Sequence, residues 1–185
     1  MGGLEIAAAL LGVINVLLVV RRTTWNYPFG IAMVALYFFV FWDAKLYSDA
    51  LLQIFFLLIQ AYGWWAWSRA DRVDDGVAVG WMAGRNRFIW AGATIFGILL
   101  WSSGMARFTD AAAPYADGTI AGLSVAAQFL QSFRRVESWI LWIAVDILAV
   151  GLFAWRGLTV TSGLYGLFLI LSVIGFLEWS KKAKA

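Results

Sequence analysis

The first feature of this sequence is what it lacks, because its 185 residues include no cysteine and no histidine. Without cysteine the chain has no disulfide framework and no thiolate chemistry. Without histidine it lacks the commonest metal ligand and general base. Charge is also scarce, since 14% of the residues are charged against about 25% in an average soluble domain. With 63% hydrophobic residues and a mean hydropathy of +0.80, the chain is predicted to be an all-α integral membrane protein.

Seven apolar segments approach or reach the length that crosses a bilayer, which is about 20 residues with a range of about 17–25. They are Leu4–Val20, Tyr27–Trp42, Asp49–Trp67, Phe88–Met105, Gly118–Phe133, Ser138–Trp155 and Leu158–Trp179. They leave too little polar chain to cover a soluble core, so each is predicted to be a transmembrane helix. Met1–Glu5 lacks the basic start of a signal peptide, so the first helix is expected to remain in the mature protein.

Lysine and arginine are divided unevenly between the connecting segments, which predicts an orientation. With the N-terminus outside, the inner segments hold eleven basic residues and the outer segments three. The inner ones are Arg21, Arg22, Arg69, Arg72, Arg85, Arg87, Arg134, Arg135, Lys181, Lys182 and Lys184; the outer ones are Lys45, Arg107 and Arg156. The sequence therefore predicts that the N-terminus is outside and the C-terminus is cytoplasmic.

Several features of the sequence recur at a nearly constant spacing. At an offset of 113, Arg21-Arg22 matches Arg134-Arg135 and Trp42 matches Trp155; at 112, Gly63, Trp67 and Ser68 match Gly175, Trp179 and Ser180. This predicts one transporter domain over residues 1–185, with parallel three-helix repeats at about 4–67 and 118–179. A linker helix at about 88–105 joins them in a 3+1+3 arrangement, which is one way that transporters place a site between two halves.

Other segments are assigned structural roles. Gly30, Gly63, Gly151 and Gly175 are expected to permit close helix contact and rocking. The polar segment 68–87 is interpreted as a solvated cytoplasmic loop without chemistry. The segment 109–117 is interpreted as the outer loop before the second repeat.

Few polar side chains lie inside the predicted helices or, as for Asn26, at the mouth of one, and these are the candidates for ligand contact. They are Asn26, Gln53, Gln60, Gln128, Trp142, Asp146, Tyr165 and Ser172. A glutamine in such a position can instead join two helices by a hydrogen bond worth about 0.6 kcal/mol, or up to about 1–2. Tyr165 can likewise be a packing residue, so both interpretations stay open for these side chains.

Asp146 differs from the other candidates because its burial has a high cost. A carboxylate near the middle of a membrane helix costs on the order of 3 kcal/mol on insertion scales. No basic residue lies within the helix interiors to pair with it. Trp142 precedes it by four residues and shares its helix face, so both side chains are expected to line a cavity on a substrate path.

These candidates together describe a ligand with a flat ring, hydrogen-bonding groups and positive charge. An indole stacks on rings and attracts cations, glutamine amides bind hydroxyl or amide groups, and an aspartate balances a cation. The sequence has no nucleophile–base pair, metal cluster or phosphate-binding loop. We therefore expect no enzymatic activity, no cofactor or metal, and no nucleic-acid partner. A retinal pigment is disfavoured because the last helix has no lysine before Lys181.

A family resemblance covers almost the whole chain, about residues 4–180. It rests on the runs Tyr27–Gly30, Tyr47–Gln53, Tyr62–Trp67, Ala127-Gln128 and Glu137–Asp146. These resemble the Pnu family of bacterial vitamin transporters, whose PnuC branch carries nicotinamide riboside. The resemblance implies a seven-helix core like that of the SWEET sugar transporters, usually assembled as a homotrimer in the bacterial inner membrane.

The same resemblance implies a function and a set of ligand residues. It implies facilitated diffusion of a vitamin, with net uptake maintained by intracellular phosphorylation. Trp142, Asp146 and Gln53 match the family positions that are associated with the ligand. Nicotinamide riboside is the expected substrate, and thiamine stays open as the alternative because both contain a cationic ring. Neutral riboflavin is less expected beside Asp146.

Overall fold

The computed structural model describes residues 3–43, 47–108, 113–155, 157 and 159–183. Within these residues the chain forms seven helices and one short hairpin. The helices are α1 Gly3–Val20, α2 Asn26–Asp43, α3 Tyr47–Ser68, α4 Gly84–Phe108, α5 Pro114–Ser132, α6 Glu137–Trp155 and α7 Thr159–Lys182. The strands are β1 Arg72–Val73 and β2 Gly76–Val77. The expectation of an all-α membrane protein with seven helices is confirmed.

Three of these helices meet the requirements for a membrane span by length and composition. They are α4, α6 and the Thr161–Lys182 part of α7, whereas α1 and α2 contain the shorter apolar stretches Ile6–Val20 and Asn26–Val40. Except at its two ends, a helix pairs its backbone groups internally, which is what the hydrocarbon region demands. Large apolar side chains such as Phe88 are therefore suited to the exposed positions that they occupy.

The helices are grouped into two compact units. The first unit consists of the chain up to Val79 together with Ser132–Arg134, and the second consists of Gly80–Gln131 and the chain from Arg135 onward. In the first unit α2 packs against both α1 and α3, and in the second unit α6 packs against α7. The middle helix of each predicted three-helix repeat, α2 or α6, therefore packs against a sequence neighbour in its own unit.

The helix boundaries correct two of the loop predictions. The outer loop does not extend to residue 117, because α5 begins at Pro114. Proline is favourable in the first turn of a helix, and the carboxylate of Asp117 in that turn complements the helix dipole. Residues 109–112 and Leu158, which was expected to begin the last helix, lie outside the described part of the chain.

The segment 68–87 is also not simply a solvated loop. It contains the β1–β2 hairpin, and α4 begins within it at Gly84. The guanidinium of Arg22 donates to Val73 O at 3.2 Å and to Val77 O at 3.3 Å, and Val77 N donates to Arg22 O at 3.0 Å. Val77 is also completely buried, so this mixed-charge segment contains an ordered element.

A second set of bonds orders the other end of this segment. Glu137, in the first turn of α6, accepts hydrogen bonds at Oε1 from Met82 N at 3.0 Å and from Arg87 Nε at 2.7 Å. Val136 N also donates to Gly80 O at 3.2 Å. The start of α6 is therefore fixed by the chain that leads into α4.

Each unit contains an aromatic pair with nearly the same geometry. In the first unit the rings of Tyr27 and Trp67 lie edge to face with centroids 5.4 Å apart and planes at 88°. In the second unit the rings of Trp139 and Trp179 have a centroid distance of 5.5 Å and the same angle. Both partners are related by an offset of 112 residues, which supports the proposal that the two helix triplets are copies of one unit.

A glycine lies under each aromatic pair. A Cβ atom at Gly63 would lie 2.6 Å from the Tyr27 hydroxyl, and one at Gly175 would lie 2.6 Å from Trp139 Cε2. The expected close contact is therefore present at both glycines. Gly151 is different, because a Cβ atom there would meet no atom within 4 Å, so the expectation of close packing at Gly151 is wrong.

The backbone also shows which arginines correspond. Arg22 and Arg134 have φ values of 56° and 59°, in the left-handed region that non-glycine residues rarely adopt. They are 112 residues apart, so the double-arginine segments match at 112 and not at the expected 113. An offset of 113 pairs arginine with arginine, but it shifts the backbone of one segment by one residue relative to the other.

We predict that Gly175→Ala destabilises the protein by about 1–3 kcal/mol, the usual range for overpacking, because the new methyl group enters the ring of Trp139. The measurement is the thermal unfolding midpoint in detergent. Gly166→Ala is the control on the same helix, since a Cβ atom there has open space. A lower midpoint in Gly166→Ala than in Gly175→Ala would contradict this account of the glycine.

Candidate functional site

The centre of α6 carries two of the predicted site residues. Trp142 and Asp146 lie one turn apart, so they share a face of the helix. Asp146 is 3% exposed, whereas Trp142 is half-buried. The helix contains no lysine or arginine, and its burial of an acidic side chain is therefore uncompensated within α6.

The carboxylate of Asp146 is held by α7. Ser172 Oγ donates to Asp146 Oδ2 at 2.8 Å, and Ser172 is itself 4% exposed. Within the described ranges no basic side chain forms an ion pair with Asp146. One carboxylate oxygen is thus bonded to a neutral hydroxyl, and the negative charge has no cationic partner in this part of the chain.

The indole of Trp142 is held by the end of α5. Its Nε1 donates to Gln131 Oε1 at 2.8 Å, and Gln131 is 7% exposed. Gln128, which was a predicted site residue, lies one turn earlier on α5 and is also buried. Both glutamines therefore belong to the buried face of α5.

Tyr165 takes a packing position. Its ring lies 5.2 Å from that of Phe153 and 5.9 Å from that of Phe168. Phe153 follows Asp146 by seven residues, which is about 10 Å along the helix axis. The structure therefore places Tyr165 among aromatic rings toward the end of α6 and not on the carboxylate.

The first unit contains a separate group of amides. Asn15 Nδ2 donates to Asn26 O at 2.7 Å, and Asn26 is fully buried at the start of α2. A Cβ atom at Gly30 would lie 2.7 Å from Gln60 Oε1 and 2.7 Å from Asn15 Nδ2. The absence of a side chain at Gly30 thus lets the amides of α1 and α3 lie directly on α2.

Gln53 is the remaining predicted residue of the first unit. It precedes Gln60 by seven residues on α3, so the two lie on the same side of the helix about two turns apart. Gln60 is buried and Gln53 is half-buried. Among the described residues Gln53 does not join the amide group on Gly30.

Sequence reasoning missed two of the buried polar residues. Asn15 interrupts the apolar run of α1, and Gln131 follows Gln128 by three residues on one face of α5. Both were detectable, but Gln131 lies near the end of its predicted helix, where a polar residue is equally well interpreted as interfacial. Their burial follows from packing between helices, which the sequence pattern does not contain.

The two units therefore offer different chemistry. The second unit provides an indole and a carboxylate, and the first provides carboxamide groups. Among the described residues no cluster of acidic side chains suited to a metal ion is present. Such groups bind by stacking, charge and hydrogen bonding, which suits recognition of a small organic molecule at membrane depth.

A seven-helix membrane protein with buried polar groups inside its apolar helices has the architecture of a solute transporter. A family model described as "Nicotinamide mononucleotide transporter" matches residues 2–181, and the chain belongs to this family.

Individual relatives agree with this assignment. The nicotinamide riboside transporter PnuC of Escherichia coli (strain K12) is 24% identical, and the match covers 98% of this chain and 86% of the relative. The riboflavin/roseoflavin transporter RibM of Streptomyces davaonensis is 27% identical, with 95% and 83% coverage. A solved structure, the crystal structure of the vitamin B3 transporter PnuC, matches this fold with a TM-score of 0.80 and 28% sequence identity. The match covers 96% of this chain and 80% of the chain in the solved structure.

The amide group on Gly30 generates a prediction. Gly30→Ala should lower the unfolding free energy by about 1–3 kcal/mol, because the methyl group displaces Gln60 and Asn15. In a Gln60→Ala background the same change should have a smaller effect, since part of the clash is gone. A thermal-unfolding double-mutant cycle measures this coupling, with Gly151→Ala as the control glycine. Additive effects of Gly30→Ala and Gln60→Ala would show that the two positions do not interact.

Proposed function

We propose that this protein is a facilitator of nicotinamide riboside uptake across a bacterial inner membrane. The observation that carries the proposal is the buried carboxylate of Asp146 beside Trp142, with no cationic partner among the described residues. Nicotinamide riboside has a flat pyridinium ring with a fixed positive charge. The names of the E. coli relative and of the solved structure support the same substrate class.

Charge complementarity is the first argument for this substrate. A desolvated carboxylate in hydrocarbon is costly, and a bound cation offsets that cost without any other change in the protein. Trp142 adds an aromatic face, which attracts a flat cation by about 0.5–2 kcal/mol. A neutral ligand of the same shape gains only the stacking part of this interaction.

The absence of lysine and arginine from α5 and α6 favours nicotinamide riboside over its phosphate ester, nicotinamide mononucleotide. The family description names nicotinamide mononucleotide, which carries a phosphate group. Neither α5 nor α6 contains lysine or arginine, and Asp146 would repel a phosphate placed beside it. A like charge in a desolvated site is a means of rejecting a ligand, so the site favours the uncharged ribose end.

Two alternatives share the scaffold. Thiamine also carries a cationic ring, so the pair of Trp142 and Asp146 does not separate it from nicotinamide riboside. Riboflavin is suggested by the RibM relative, but its ring is neutral and gains nothing from the carboxylate. We rank thiamine second for this reason and riboflavin third.

We further propose that transport is facilitated diffusion with alternating access. Parallel repeats support rigid-body motion of one half against the other, and the aromatic pairs that recur at an offset of 112 support the presence of two such repeats. A single intramembrane carboxylate that pairs with a cationic substrate is not free to carry a coupled proton in the same step. Net uptake is then maintained by phosphorylation inside the cell.

The orientation and assembly belong to the same proposal. The excess of arginine and lysine in the expected inner segments supports an outer N-terminus and a cytoplasmic C-terminus. We also propose a homotrimer, because α4 presents an open apolar groove of about 370 Å³ that a second copy is suited to cover. The groove is lined by Gly97, Leu100, Trp101, Gly104, Met105 and Phe108. Native mass spectrometry that yields only the 20.6 kDa chain would contradict the trimer.

Counterflow in proteoliposomes tests the transport function. Vesicles preloaded with unlabelled nicotinamide riboside should accumulate the labelled compound without ATP or an ion gradient, because exchange needs only alternating access. Thiamine, riboflavin and nicotinamide mononucleotide are competitors in parallel samples. Counterflow of thiamine alone would move the protein to the alternative substrate, and a strict need for a proton or sodium gradient would contradict facilitated diffusion.

Asp146→Asn gives a prediction about charge. The substitution should weaken binding of nicotinamide riboside by at least about tenfold, or about 1.4 kcal/mol, since the amide no longer balances the ring. Binding of the reduced, uncharged dihydronicotinamide riboside should change little. Competition binding to purified protein measures both ligands. Equal losses for the charged and uncharged ligands would show that Asp146 does not recognise charge.

A further inference from the structure

We propose that Gln131 and Ser172 are positioning residues that fix the ligand-facing side chains of α6. Gln131 sets the orientation of the Trp142 indole, and Ser172 sets the plane of the Asp146 carboxylate. The inference rests on the proposed function, because it assigns a role within the same site. In this role both residues affect ligand binding through Trp142 and Asp146 and do not contact the ligand themselves.

The Gln131 bond removes the main freedom of the indole. An indole has one hydrogen-bond donor, Nε1. In Trp142 this donor bonds Gln131 Oε1 at 2.8 Å. A flip of the ring would place carbon atoms against the buried carboxamide and leave its oxygen without this donor. The half-buried Trp142 therefore presents one defined face.

The Ser172 bond acts in the same way on the carboxylate. A carboxylate has two oxygens and about four acceptor positions. Ser172 Oγ donates a hydrogen bond to Oδ2 at 2.8 Å. No second donor to the Asp146 carboxylate is present within the described ranges. The bond holds the carboxylate plane and leaves Oδ1 available to a ligand.

A comparison of the two units shows that these bonds are not needed to build a helix triplet. At the offset of 112, Gln131 and Trp142 correspond to Val19 and Gly30 of the first unit. Both members of this hydrogen-bonded pair are absent there together, although Val19 is as well buried as Gln131. The helix triplet of the first unit therefore packs without this hydrogen-bonded pair.

The second pair follows a related pattern. Asp146 and Ser172 correspond to Val34 and Gln60. Val34 is buried and apolar, and the polar group at the position of Ser172 lies instead on Gly30. The hydroxyl of Ser172 thus occurs where a carboxylate needs a donor, which fits a role in positioning Asp146.

The first test uses ligand selectivity in the purified full chain. Ser172→Ala should lower the ratio of affinities for nicotinamide riboside and its uncharged dihydro form by about threefold to tenfold. Ser172→Thr should restore the ratio because it keeps a hydroxyl. Ser162→Ala is the matched control, since Ser162 Oγ also bonds α6, to Val150 O at 3.1 Å. Equal losses for both ligands in Ser172→Ala would overturn the role of Ser172.

The second test is a double-mutant cycle on binding. Gln131→Leu should weaken nicotinamide riboside binding by about tenfold in the wild-type protein. In a Trp142→Phe background, which lacks the donor, the same change should have almost no effect. An equal effect of Gln131→Leu in both backgrounds would overturn its role as a positioning residue.

A ligand-free readout separates this inference from the proposed function. The indole N–H resonance of Trp142, assigned by its loss in Trp142→Phe, should move upfield in Gln131→Leu and exchange faster with water. It should be unchanged in Ser162→Ala. If wild-type protein binds none of the vitamins, the proposed function fails while this resonance still reports the contact. An unshifted resonance in Gln131→Leu would overturn the positioning of Trp142 in either case.

Discussion

The structure depends on one constraint, which is that a carboxylate has been placed inside an apolar helix. Asp146 is almost completely buried, and hydrocarbon gives a charge no solvation. The neighbouring groups stabilise the carboxylate only in part. Ser172 bonds one of its oxygens, and no basic side chain within the described ranges pairs with the charge. A ligand that supplies the missing positive charge would offset this cost, which is why we propose that a cationic ring binds beside Asp146 and stacks on Trp142.

The two units share packing features and differ in their buried polar groups. The pairs Tyr27–Trp67 and Trp139–Trp179 have the same ring geometry, and a glycine lies under each. These features concern packing, and they recur. The charged and aromatic groups of α6 do not recur, because α2 has Gly30 and Val34 at the corresponding positions. The features that recur are packing features, and the polar groups that differ are the ones we propose for ligand recognition.

The fold was more predictable than the site. Long apolar runs predict α1 to α7 because membrane helices must satisfy their own backbone. Some errors came from local signals, as at Pro114, where the first turn of α5 was assigned to a loop. Asp146 and Trp142 could be selected from their spacing and cost. The burial of Gln131 and Asn15 could not be predicted, because it depends on which helix faces which. The hairpin after α3 was missed because Arg22, fifty residues earlier, orders it.

The most direct measurement is titration calorimetry of the purified wild-type protein with nicotinamide riboside and with its uncharged dihydro form. The two ligands differ chiefly in the charge of one ring, so their affinity ratio reports the electrostatic role of Asp146. The account predicts that the cationic form binds at least about tenfold more tightly, a difference of about 1.4 kcal/mol. Equal affinities, or tighter binding of the uncharged form, would contradict the claim that a buried carboxylate selects a cationic vitamin.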